Sequence, residues 1–130
     1  MAYYFSKVLE TKNFDEAIHQ VTAELKKEGF GVLNEIDLQS TLKKKINADI
    51  NRYKILGACN PEFAYKAVQQ EENIGVFLPC NVVVKEQSNG SIEVSAVDPI
   101  ASMVSVENEN LGEVAVIIQD KLKRFIDHLS

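Results

Sequence analysis

The sequence predicts an α+β domain in which an antiparallel sheet is covered by helices on one face, and three observations carry that expectation. Two segments near the ends of the chain repeat apolar residues at helical spacing: Phe14, Ile18, Val21 and Leu25, then Leu111, Val114, Ile118, Leu122, Phe125 and Leu129. Between them the strand-like segments are mostly half polar; in the clearest, Ile92, Val94 and Ala96 alternate with Glu93 and Ser95, as in a sheet with one wet face. The pair Asn89-Gly90 marks a tight hairpin that joins two of these strands. With 130 residues, 45% hydrophobic and 25% charged, residues 1–130 suffice for a single domain that buries about two-thirds of its unfolded surface without a staple.

Taken in order, Tyr3 to Leu9 reads as a first strand with Tyr3, Phe5 and Val8 inward. Asn13 and Glu16 form a capping box for a helix over about Phe14 to Glu28, and Gly29 stands where a left-handed cap ends it. Phe30 to Ile36 follows as a strand. Asp37 then caps a short helix with Leu38, Leu42 and Ile46 inward and Lys43-Lys44-Lys45 on its solvated side. Tyr53 to Ala58 is a third strand, after which Asn60 at N-cap and Pro61 at N1 open a helix packed through Phe63, Ala64, Ala67 and Val68. Apolar Ile74 to Leu78 reads as extended, and Pro79 divides it from a strand over Asn81 to Glu86. A type I′ turn at Asn89-Gly90 leads to the strand that Asp98-Pro99 ends, and a capping box at Asn110 and Glu113 begins the last helix.

Composition also removes several classes of function. A net charge of −5 argues against nucleic acid as a partner, which calls for a basic face, and against docking on anionic membrane. No apolar run approaches the roughly twenty residues of a membrane span, and the first residues lack the pattern of a signal peptide, so a cytoplasmic location is expected. The two cysteines are then expected as free thiols.

Those cysteines stand in matched surroundings. Ile55-Leu56-Gly57-Ala58-Cys59-Asn60-Pro61 and Val76-Phe77-Leu78-Pro79-Cys80-Asn81-Val82 each bring a thiol and an amide to a proline-flanked junction. If the two strands are neighbours, Cys59, Asn60, Pro61, Pro79, Cys80 and Asn81 line one ligand pocket. Cys59 precedes a helix N-terminus, which favours a thiolate, although Glu62 and the missing amide of Pro61 oppose it. Its alternative is a small buried residue filling the corner. Cys59 and Cys80 together would suit a soft metal ion or a reversible disulfide, though a closed zinc site needs four ligands and no histidine pair is near. No other cofactor is indicated. Asn60 reads as a helix cap, and neither His19 nor His128 has a neighbour that would make it a catalytic base.

With those motifs in place, the chain resembles the bacterial and archaeal family catalogued as domain of unknown function 302. The carriers are Tyr53 through Pro61, Ala64, Gly75, Leu78-Pro79-Cys80-Asn81 with the following valines, and Asp98-Pro99. The resemblance implies a two-layer domain with a curved antiparallel sheet, grouped with TATA-binding-protein-like folds, and a homodimer. It implies no DNA binding and supplies no catalytic residue. Three functional expectations stand together: a homodimeric binding module for a small ligand; a thiol-dependent redox or metal-handling protein using Cys59 and Cys80; and a purely structural or interaction domain.

Overall fold

The computed structural model describes residues 2–130. Five strands, β1 (Tyr4–Val8), β2 (Gly31–Asp37), β3 (Tyr53–Cys59), β4 (Cys80–Glu86) and β5 (Ile92–Val97), form one antiparallel sheet in the order β1-β5-β4-β3-β2. Five helices accompany them: α1 (Phe14–Lys27), α2 (Leu38–Ile46), α3 (Pro61–Gln70), α4 (Pro99–Ser102) and α5 (Glu109–Asp127). The fold is therefore α+β.

The register explains which face is dry. Leu56 lies opposite Val82, Val82 opposite Ala96 and Val84 opposite Val94, so one apolar stripe crosses the three central strands. Onto it pack Phe14, Ala17, Val21 and Leu25 of α1, and Ile118, Leu122 and Phe125 of α5. Full burial of each large side chain contributes about 1.5–3 kcal/mol. The intervening positions, including Tyr53, Val83, Lys85, Glu93, Ser95 and Val97, face away from the helices and keep part of their surface in water.

Most element boundaries match the sequence reading, and the departures have local causes. Tyr3 and Val8 do not turn inward: they are 68% and 51% exposed, Val8 because strand alternation puts Phe5 on the helix side, and Tyr3 because it precedes β1 and escapes that alternation. Asn13 caps α1 by accepting from the Glu16 amide, but Glu16 bonds to Thr11 Oγ1 while the Asn13 amide donates to that same hydroxyl, so the capping box is half made. Gly29 does take positive φ, at 87°.

Helix α2 is capped by Asp37 as expected, yet it buries no residue, and Ile46 is 69% exposed. It packs lightly on β3 from the β2–β3 connection, so Leu38 and Leu42 are only half-buried and Ile46 is left out. Val68 of α3 is exposed for a similar reason, since Ala67 is the position that meets the core. The Ile74–Leu78 stretch is not extended: Glu72–Phe77 winds into a 3-10 turn that buries Ile74 alone.

The β4–β5 hairpin has a three-residue loop instead of a type I′ turn. The Gly90 amide donates to the Gln87 carbonyl and the Gln87 amide to the Ser91 carbonyl, with Gly90 at φ 85° and Asn89 accepting from the Ser91 amide. Only glycine takes the left-handed position, which is the bulged form of this turn. Finally, α5 begins two residues earlier than the capping box suggests. Asn108 accepts from the amides of Asn110 and Leu111.

Candidate functional site

The two Cys-Asn junctions meet because β3 and β4 are antiparallel neighbours. Ala58 is the register partner of Cys80, so Cys59 and Cys80 lie beside each other at the same end of the sheet. At that end α3, which starts at Pro61, and α4 both pack against α5. Between them is a cavity of about 260 Å³. Phe63, Ala64 and Ala67 line it from α3, and Val114, Ala115 and Ile118 from α5. Met103 and Leu78 complete the wall beside the two cysteines, Asn60 and Pro79.

Four of the six residues expected at a pocket thus line one hollow: Cys59, Asn60, Pro79 and Cys80. Pro61, exposed at the first turn of α3, does not line it. Asn81 lies opposite Gly57 and opens onto the uncovered sheet face, in a groove with Tyr3, Tyr4 and Tyr53. Strand alternation turns Asn81 away from the hollow that Cys80 lines, although Pro79, Cys80 and Asn81 do share a separate recess with Phe77, Leu78 and Met103 at the start of β4.

Asn60 occupies the N-cap of α3 but makes no side-chain cap bond, contrary to the sequence reading. Its Nδ2 instead donates to the Glu28 carbonyl at 3.4 Å. Gly29 permits this contact, since a Cβ there would come within 3.1 Å of that nitrogen. The Glu28 carboxylate in turn accepts from Arg124 Nε of α5 at 3.1 Å. Asn60, only 8% exposed, therefore ties the C-terminal end of α1 to the cavity wall.

Gly57 is the tight point behind the wall. A side chain there would collide with the Asn34 carboxamide and approach the Pro79 ring within 2.8 Å. The absent Cβ lets Pro79 seat against β3 and holds the second junction to the first.

The two thiols are free and differ in setting. Burial pushes the Cys80 thiol up to about 11, and the neighbouring Cys59 acts in the same direction. From a starting value of 9.0, that rise leaves Cys80 about a hundredfold less thiolate near neutral pH. Iodoacetamide at pH 8 is expected to label Cys59 well before Cys80, as read by peptide mass spectrometry; equal labelling would refute the assignment. Because the folded state holds this proton more tightly than the unfolded chain, the contribution is intact below pH 9 and is lost as pH rises toward 11. Among the described residues no group of three or more His, Cys, Asp or Glu side chains is placed to hold a metal ion, so any ion here would have the two thiols alone.

Sequence reasoning missed the far wall. Val114 and Ile118 read as ordinary helix packing, and Met103 lies between Asp98-Pro99 and the last helix, where no motif marks it. The available signal was the run of small residues, Ala64, Ala67 and Ala115, on facing helix surfaces, which leaves space where larger side chains would fill it.

A helix-covered antiparallel sheet with an apolar hollow where β3 and β4 meet α3 and α5 defines a two-layer α+β domain with a ligand-sized cavity. The chain belongs to the family described as Domain of unknown function DUF302, whose model matches residues 5–129. It is similar to the crystal structure of an uncharacterized conserved DUF302 protein from Bacillus stearothermophilus, at 27% identity over 100% of both chains with a TM-score of 0.91. No curated protein matches it. The function of the family is unassigned. No helix among the described residues is long and apolar enough to cross a membrane.

Proposed function

We propose that this protein is a homodimeric binding module that takes a small, largely apolar molecule into the cavity beside Cys59 and Cys80. The observation that carries the reading is the character of that cavity: about 260 Å³, walled by aliphatic and aromatic side chains. Asn60 is its one amide and the two thiols its other polar atoms. A cavity of about 150 Å³ accepts a benzene ring, so this one has room for a body of about ten heavy atoms. Binding is favoured over thiol chemistry because Cys80 is held protonated, which removes its nucleophilic form. A cytoplasmic setting fits two unbridged thiols.

The dimer is supported by the bare face of the sheet. Tyr3 and Tyr4 stack edge to face at 5.0 Å on that side, and exposed Val8 lies further along β1 on the same side. Aromatic and aliphatic groups gathered on an uncovered sheet suit a second copy of the same surface.

Naphthalene is a suitable probe for the cavity, since it is neutral and has ten carbons. Saturable binding with one site per chain is expected in a fluorescence titration, and Ala64→Phe, which places a ring in the hollow, is expected to weaken it at least tenfold. Circular dichroism would show that the variant folds; should it not, Ala64→Leu serves the same purpose. Absence of saturable binding, or equal binding by a folded filled variant, would overturn the reading.

A further inference from the structure

The residues at the outer end of the cavity carry a sign of charge that the protein as a whole does not. Phe63 is half-buried, with part of its surface in the cavity and part toward solvent. Two ammonium groups stand over that ring: Lys66 Nζ at 4.9 Å and Lys121 Nζ at 5.8 Å from its centroid. Helix geometry puts them there. Lys66 is three residues beyond Phe63 on α3, and Lys121 is three beyond Ile118 on α5, so each continues the cavity-lining face of its helix by one turn.

Their pairing is incomplete. Lys66 reaches Glu62 at 3.6 Å, whereas Lys121 makes no ion pair among the described residues. Glu28, just past the end of α1, is held by Arg124. In a chain of net charge −5, two ammonium groups over one ring of the cavity wall, one shared and one unshared, give an anion at that end local partners.

We infer that the occupant is a monocarboxylate with an apolar body, its hydrocarbon in the cavity and its carboxylate at the mouth between Lys66 and Lys121. The inference rests on the cavity being a binding site, and it adds the polar end of the ligand. A neutral molecule would leave both ammonium groups as they stand. A phosphate monoester would bring about two negative charges to a mouth where Glu62 already shares Lys66, so one negative charge is the better match. The apolar body supplies most of the affinity and the lysines the preference between head groups.

Three probes of one chain length separate the terms: decanoate, decan-1-ol and decylammonium, each titrated calorimetrically against the wild-type protein and against Lys66→Gln/Lys121→Gln. Decanoate is expected to bind tightest, by about fivefold to tenfold over the alcohol at low salt, with the margin shrinking as salt rises. The double variant is expected to lose that margin while keeping its affinity for the alcohol. Equal binding of alcohol and carboxylate by the wild type, or a preference for decylammonium, would overturn the inference and leave the apolar site standing. An unchanged carboxylate preference in the double variant would overturn it as well. If none of the three binds, the cavity reading fails and this inference fails with it.

Discussion

Gly57→Ala is expected to destabilise the protein by about 2–4 kcal/mol, a large effect for a single methyl group. The added carbon would meet the Asn34 carboxamide on one side and the Pro79 ring, 2.8 Å away, on the other. The carboxamide ends an exposed side chain and can turn aside, but the proline ring cannot. Asn34 follows the register shift that β2 makes between Val32 and Asn34, and Pro79 is fixed between Leu78 and the first residue of β4. Urea denaturation of the wild type and variant measures the difference. Asn34→Gly in the same chain should recover part of the loss but not all of it, since Pro79 remains. A single substitution within about 0.5 kcal/mol of wild type would show that Pro79 does not hold the second junction against the first.

The second large effect concerns association. The proposed dimer is expected at micromolar concentration for the wild type and a monomer for Tyr4→Lys with Val8→Lys, as seen by sedimentation equilibrium. Both side chains emerge from β1 on the uncovered side, and both are exposed in the isolated chain, so the folded protomer should tolerate the change. Lysine opposite Glu93, the partner of Val8 in register, even gains an opposite charge within the sheet. Between two copies the same substitutions would bury four like charges, and each buried unpaired ion costs several kcal/mol. A wild-type chain that sediments as a monomer, or a double variant that still dimerises, would remove this face from consideration.

Much of the fold was legible because it is written in local periods. The stripe of α5 from Leu111 to Leu129, the alternation in β5 and the cap-and-glycine frame of α1 each follow from neighbouring residues alone. Errors gathered where a local pattern needed a partner from elsewhere. Ile46 sits on a sound amphipathic helix, but the contact of α2 with β3 half-buries Leu38 and Leu42 and leaves Ile46 outside. Val8 and Leu9 are equally apolar neighbours, and only the direction of β1 against β5 decides which turns inward.

The candidate site divides in the same way. Its near wall was visible as two repeated motifs, because proline and cysteine stand out in any sequence. The far wall comes from Val114, Ala115 and Ile118, whose spacing is that of any core helix. Emptiness has no residue type of its own, so the hollow could be seen only once three helices had been placed. Asn60 illustrates the limit from the other side. Its sequence position is that of a helix cap, yet its amide is spent on the Glu28 carbonyl, thirty-two residues upstream.

The walls of the hollow are drawn from β2, β3, α3, α4, α5 and the turn before β4, so an occupant would touch nearly every part of the architecture at once. Unfilled, that space is a standing weakness, since its lining forgoes the dispersion contacts a packed interior would have. Filled, it would make resistance to heat a function of how much guest is available, because a guest that binds only the native form shifts the melting equilibrium by mass action. Guest abundance would then set the lifetime of the molecule as well as its occupancy.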